Sequence, residues 1–430
     1  MKVFYKLFKK RWILLFLIIA LGGFVSITIT SSDTVLEHDA TSYLRIARET
    51  TPFHLLGKSS FIDIGYPIIL SILIRFFGDV SFLPFQIINY LFWFLSTVLI
   101  YESLKVIVDE EKAFLGGVVM AFSPVFLSFS SKLYSESFAS LGTSLIIYSL
   151  LRIKADYGMG MKKVLLLSLG MLILAFTKSV FSLLTVAILL MVYKKGYMNK
   201  FLFLLGIVIV IFLRVLVSFQ GGRSEYNLAI QAVKTEQTYS TIISCSLYQL
   251  SYPVGKMLAG NFEGLCRQDI TEKDIPGYEN NPYVVAERLR QKGFTIREWM
   301  SIVLAKPVKY IVVVFSSMFS LVFVEGFYRN FTIYTDSVIF LMLLVLVKLF
   351  FSFYLWGGTT RVFLCFWKIK KVVALVSIFP LIYFLVVVGN FPVEQRYFYP
   401  LLPFVYYYAA IDKKGVKKLA KIFSKNYEDQ

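Results

Sequence analysis

Two carboxylates and a histidine stand side by side in "VLEHDATSYLRIARE" (35–49): Glu37, His38 and Asp39, directly after the first long apolar run. A carboxylate held just outside a membrane can take a proton from an acceptor hydroxyl or amine as a general base. Asp39 also immediately precedes an amphipathic segment, where aspartate is a favoured helix N-cap. Both readings stand at this position. His38 and Asp39 with His54 would make a divalent-metal set, but the chain has no cysteine spacing typical of metal ligands, and no metal or other cofactor is expected.

Three further groups carry charge at places where apolar runs end. "SKLYSESF" holds Lys132, Tyr134 and Glu136 at a turn between two apolar segments. Taken alone they read as a snorkelling lysine, an interfacial tyrosine and an acid favoured by a helix N-terminus. "AFTKSVF" places Lys178 in a turn between two apolar helices, where it either snorkels or binds an anion. "VEQRYFYPLLP" puts Glu394, Arg396 and Tyr397 at the start of the last apolar run. Arginine suits bidentate contact with phosphate, and a local Glu394–Arg396 pair is the plainer alternative. One carboxylate and several cations at a shared membrane face fit a reaction on a lipid-borne phosphate.

The elements that must position these groups follow from composition. Of 430 residues, 57% are hydrophobic and only 17% charged, against about a quarter charged in soluble domains. The apolar residues fall in repeated blocks of roughly 17 to 25, the length that spans a bilayer as helix. The expected fold is therefore an all-α polytopic membrane protein of 10 to 12 transmembrane helices. The first block follows "KLFKKR" and has no small-residue cleavage site, so it reads as a retained anchor. The net charge of +18 lies in short segments between apolar blocks and at both termini ("KADYGMGMKK", "YKKGYMNK", "KIKK", "KKGVKKLAKIFSK"). This is the positive-inside pattern, which orients helices and favours anionic lipid; it argues against nucleic acid as a partner.

The expected organisation is a transmembrane module over 1–219 with a first external loop at 31–63, an extracytoplasmic loop or small subdomain over 220–306, transmembrane helices over 307–412 and a basic cytoplasmic tail over 413–430. Within the first loop, Ala40, Tyr43, Leu44 and Ala47 recur at helical spacing and predict an amphipathic helix over 40–48. Residues 65–78 are apolar but short, an interfacial piece or a span. Spans are expected over 85–107, 113–130 and 136–151, a hairpin over 164–192, a span over 201–219, a helix within 284–300, and later spans near 308–324, 338–356, 372–389 and 397–411. Crossing at every segment would leave the basic C-terminus outside, so 307–325 is expected to enter and return. Both termini then face the cytoplasm of a cell-membrane protein. Cys245 and Cys266 share the long polar segment and either pair or remain thiols.

The order of these motifs resembles the GT-C superfamily of membrane glycosyltransferases, in particular the protein O-mannosyltransferase and lipid A aminoarabinose transferase branch. "EHDATSYLRIA" looks like its acid-containing first loop, with the family pattern falling on Asp39, Tyr43 and Ala47. "YSESF" resembles its acid-containing turn, "LAFTKSVF" its "LTK" turn, and "RYFYPLLP" its Arg-Tyr-x-x-Pro motif. Many members carry Asp-Glu in the first loop, whereas this chain has Glu-His-Asp. The resemblance implies transfer of a sugar, usually with inversion, from a polyprenyl-phosphate donor to a protein, glycan or lipid acceptor at the extracytoplasmic face. It implies Asp39 as base with Glu37 beside it, Lys178, Arg396 and Tyr397 on the donor phosphate, and His38, Tyr43, Lys132, Tyr134 and Glu136 in the pocket. A flippase for a lipid-linked sugar and a polyprenyl-linked glycan polymerase or ligase are the alternatives.

Overall fold

The computed structural model describes residues 11–29, 39–49, 65–78, 81–155, 161–177, 223–237, 239, 282–322, 346–347, 350–351, 353–354, 357, 360–361 and 402–424. Among these, every regular element is helical. Two compact units divide the chain, one built mainly from residues 1–219 with 353–381 and 399–430, the other from 220–352 with 382–398.

The first unit contains α1 (Arg11–Ile29), α2 (Asp39–Glu49), α3 (Gly65–Phe77), α4 (Leu83–Lys105), α5 (Glu110–Ala121), α6 (Pro124–Ser130), α7 (Glu136–Ala155), α8 (Met161–Thr177), α13 (Leu402–Ala409) and α14 (Lys413–Ser424). The second contains α9 (Arg223–Glu236), α10 (Pro282–Gln291), α11 (Ile296–Ala305) and α12 (Pro307–Val322). Among the described residues, α1 and α4 are long and apolar enough to cross a membrane. Their 19 and 23 residues reach ~28 and ~34 Å at the helical rise.

Helix α4 is the spine of the first unit, packed by α1, α5 and α7, with α8 laid along α7. The α7–α8 contact is close because two glycines meet: a Cβ on Gly170 would stand 2.7 Å from the carbonyl oxygen of Gly142. Small residues at a crossing let helix backbones approach closely. Hydroxyls along the apolar helices bond back to their own helix, Ser96 to the Phe92 carbonyl (2.7 Å), Thr97 to Trp93 (3.0 Å) and Thr143 to Ala139 (3.3 Å). That satisfies each hydroxyl within its own helix.

The span expected over 113–130 is two helices. Pro124 cannot donate to the preceding turn and its ring excludes a continuous helix, so α5 stops at Ala121 and α6 restarts at Pro124. Buried aromatics lock the break. Trp93 Nε1 donates to the Met120 carbonyl at 3.3 Å, Tyr406 Oη donates to Ser123 Oγ at 2.7 Å, and the Trp93 and Phe126 rings stack at 5.7 Å. The helix expected within 284–300 is likewise two, because Gly293 takes φ +81° between α10 and α11. That is a conformation glycine adopts at little cost.

In the second unit, α9 packs on α10, α11 and α12 around Ala229, Ile230, Ala232, Ala286 and Phe294. A reciprocal capping box starts α11: Thr295 Oγ1 accepts from the Glu298 backbone N–H, and Glu298 accepts from the Thr295 N–H at 2.7 Å. Two orphan donors are thereby satisfied.

Candidate functional site

The first unit places Gln86, Asn89, Lys132 and Glu136, all buried, at one end. Helix α1 finishes there, with Ser26 Oγ donating to the Leu127 carbonyl at 3.1 Å. The chain re-enters as α2, whose apolar positions Ala40, Tyr43, Leu44 and Ala47 are all buried. The amphipathic spacing thus forms a helix with that face covered, packed on α3. Asp39 is itself the first helical residue rather than the residue before the helix, a one-residue difference typical of helix ends.

Opposite α2 lies the tight turn 131–135 between α6 and α7. It is wound by its own backbone, with Lys132 N–H donating to the Phe129 carbonyl (3.2 Å) and Tyr134 N–H to the Lys132 carbonyl (2.9 Å). Two polar residues on α4 hold it from beneath. Gln86 Nε2 donates to the Ser131 carbonyl at 2.7 Å, and Asn89 Nδ2 donates to the Lys132 carbonyl at 2.8 Å. Asn89 Oδ1 in turn accepts from the Tyr66 hydroxyl at 3.1 Å. Tyr66 packs edge-on against the Tyr43 ring at 5.5 Å, and the Tyr43 hydroxyl lies 3.4 Å from Ser135 Oγ. Ser130 and Ser137 hydroxyls pair across the base of the turn at 2.9 Å.

Four of the expected site residues therefore come together: Tyr43 from α2, Lys132 and Tyr134 from the turn, and Glu136 at the first position of α7. All four are buried, Lys132 at 6% and Glu136 at 1% relative exposure. Such burial of a lysine and a glutamate in an apolar bundle is costly unless they serve a partner or a function. Glu136 also lies within electrostatic reach of Tyr66. Helix α8 ends at Thr177 at this same end. A Cβ on Gly65 would stand 2.8 Å from the backbone of Phe176, so α3 and α8 touch main chain to main chain.

Glu37, His38, His54, Lys178, Glu394, Arg396 and Tyr397 lie outside the described residues, as does the Asp39 side chain. Among the described residues, no three His, Cys, Asp or Glu side chains come together as a metal would need. No family model, curated protein or solved structure matches the chain. The geometry stands by itself.

Tyr66, Gln86 and Asn89 are the participants that spacing had not singled out. A signal was present: "PFQIINYLFWF" carries two amides three residues apart within an apolar helix. Residues at i and i+3 share a helix face, and amides on such a face need partners.

The opposite end of the unit is built from exposed ion pairs. Arg11 Nη1 donates to the Glu110 carbonyl at 2.7 Å, and Lys105 pairs with Glu102 at 3.0 Å, which Arg152 joins at 3.6 Å. Lys112 bridges Asp109 (3.0 Å) and Asp412 (2.9 Å). The Asp109 carboxylate, accepting the Lys112 backbone N–H, and the Asp412 carboxylate, accepting that of Gly415, are both held below the usual range; bonds to both carboxylates raise the Lys112 ammonium.

Proposed function

We propose that the chain is a polytopic membrane glycosyltransferase that moves a sugar from a polyprenyl-phosphate donor to an acceptor at the extracytoplasmic face. The observation that carries this reading is the meeting of α2, which Asp39 opens, with the buried Lys132–Glu136 turn at one end of an apolar bundle. The opposite end collects Arg11, Lys105, Lys112 and Arg152; the positive-inside rule makes that end cytoplasmic and the polar end extracytoplasmic.

In the proposed reaction Asp39 takes the proton of the acceptor hydroxyl or amine. The acceptor atom bonds to the anomeric carbon as the bond from that carbon to the phosphate oxygen breaks. The electron pair leaves with polyprenyl phosphate, a stable anion that needs no general acid, and fixed cations stabilise its growing charge. Lys178 follows Thr177, the last residue of α8, directly in sequence, and we assign it to that role together with Arg396 and Tyr397. Lys132 and Glu136 shape the pocket, held by the Asn89 and Gln86 bonds. Glu37 and His38 flank the base.

The test is transfer from a radiolabelled polyprenyl-phosphate sugar into membrane extract by purified protein. Asp39→Asn should abolish transfer while leaving donor binding intact; equal transfer by variant and parent would refute the base. Lys178→Ala and Arg396→Ala should weaken donor binding, and unchanged affinity in both would refute the phosphate role. Movement of donor across the bilayer without transfer would establish a flippase instead.

A further inference from the structure

The second unit carries an apolar stripe that its own core does not cover. On α11 the side chains of Ile296, Met300 and Leu304 recur every four residues and all face outward, Leu304 at 71% relative exposure. The stripe continues on α12 through Val308, Ile311 and Phe315, the last at 66%. A single residue, Lys306, separates the two helices, and Pro307 opens the second. The opposite face of α11 is used internally, with Trp299 and Ile302 packed on the core around Ile230. Six exposed large apolar side chains at helical spacing on two consecutive helices exceed the scattered exposed residues that any surface carries.

What borders the stripe identifies its occupant. At the elbow the Trp299 ring meets Tyr310 edge-on at 6.0 Å, and Lys309 Nζ sits 5.5 Å over the Tyr239 ring. Trp299 Nε1 is kept polar by Gln231 Oε1 at 3.0 Å. Tyrosine and lysine side chains beside an apolar stripe suit a membrane–water boundary. Next to the N-terminal end of the stripe, Arg288, Lys292 and Arg297 are exposed, while two acids nearby are engaged, Glu298 in the α11 cap and Glu236 with Lys306. Cations over an apolar stripe complement anionic headgroups over acyl chains.

We infer that α11 lies in the bilayer interface with Ile296, Met300 and Leu304 in the acyl region, and that α12 continues from it into the hydrocarbon. Residues 296–305 thus belong to the membrane rather than to the polar external segment, and the second unit rides on the lipid surface. This rests on the chain residing in a membrane but on no assignment of its chemistry.

The test uses the full chain in phosphatidylcholine–phosphatidylglycerol vesicles. Cys245, Cys266 and Cys365 are replaced by serine, and one nitroxide is placed at Met300→Cys, Leu304→Cys, Lys292→Cys or Leu91→Cys, the last on the exposed face of α4. Collision with oxygen relative to a water-soluble nickel chelate should be several-fold higher at 300 and 304 than at 292, and close to that at 91. Nickel-dominated collision at 300 and 304 with oxygen-dominated collision at 91 overturns the inference and leaves the membrane reading standing. Nickel-dominated collision at 91 as well overturns both. Exclusion of both reagents at 304 shows a protein surface there and also overturns it. A benzoylphenylalanine at Met300 in the chain with native cysteines gives an independent readout: photo-adducts with phospholipid support the inference, and adducts only with protein refute it.

Discussion

The two ends of α4 are built on opposite principles. At its N-terminal end Gln86 and Asn89 are buried and spend their amides on a neighbouring turn. At its C-terminal end Glu102 and Lys105 face outward and pair with each other. A buried amide whose partner is removed leaves an unsatisfied group costing about 1–3 kcal/mol, so the first end tolerates only one arrangement. Exposed ion pairs contribute little and rearrange freely. One end of the bundle fixes geometry; the other supplies charge whose sum matters more than its detail. That division suits a site at the first end and an exposed, readily rearranged set of ion pairs at the second.

The sharpest way to break this contrast is Asn89→Leu. The substitution removes the donor to Lys132 and the acceptor for Tyr66 while keeping volume, and should destabilise the purified protein by about 2–3 kcal/mol. Thermal unfolding in detergent measures it, and sugar transfer should fall with it. A melting curve unchanged from the parent would mean that the Tyr66–Asn89–Lys132 chain does not hold the turn. A step smaller is Gly65→Ala, which introduces a methyl 2.8 Å from the Phe176 main chain. Backbone cannot yield as a flexible side chain does, and overpacking of this kind costs about 1–2 kcal/mol. The same substitution at Gly78, where φ is +74° but no atom lies within 4 Å, separates the two causes. If the Gly78 variant lost more stability than the Gly65 variant, backbone strain rather than close packing would dominate.

What the sequence made legible divides along the same line. Patterned apolar residues announced α2, α4 and α7 nearly to their ends, because helical periodicity is local information. The motifs "SKLYSESF" and "EHDATSYLRIA" named Tyr43, Lys132, Tyr134 and Glu136, which the fold buries at one end of the unit, yet could not show that Tyr43 and Ser135 meet, a contact spanning 92 positions. Tyr66, Gln86 and Asn89 were missed because an amide in an apolar helix signals a partner without naming it. The break at Pro124 was readable from the proline alone; an apolar run over 113–130 obscured it, since hydropathy ignores backbone donors. The stripe on α11 and α12 escaped for another reason: Ile296, Met300 and Leu304 recur every four residues, but only the fold shows that the unit's own core leaves this face uncovered.

The smallest expected effect lies at the charged end. Lys112→Gln removes both ion pairs to Asp109 and Asp412, yet these groups are exposed, screened by salt and supported by other contacts. Asp109 still caps α5 by accepting the backbone N–H of residue 112 at 2.9 Å, and Asp412 still accepts that of Gly415 at 2.7 Å. The melting midpoint should hardly move at neutral pH, and less at high salt than at low. The pH dependence has a definite sign. Both aspartates titrate below their ordinary value, so their contribution is complete above about pH 4 and is lost as pH falls through the lowered folded values. The raised Lys112 contributes fully below its ordinary value near 10.5 and is lost only as pH rises through the higher folded one. Midpoints measured from pH 7 down to pH 3 should therefore fall for both proteins, with the Lys112→Gln variant falling less, because part of what acid removes is already absent. An identical acid decline in variant and parent would locate the sensitive carboxylates elsewhere.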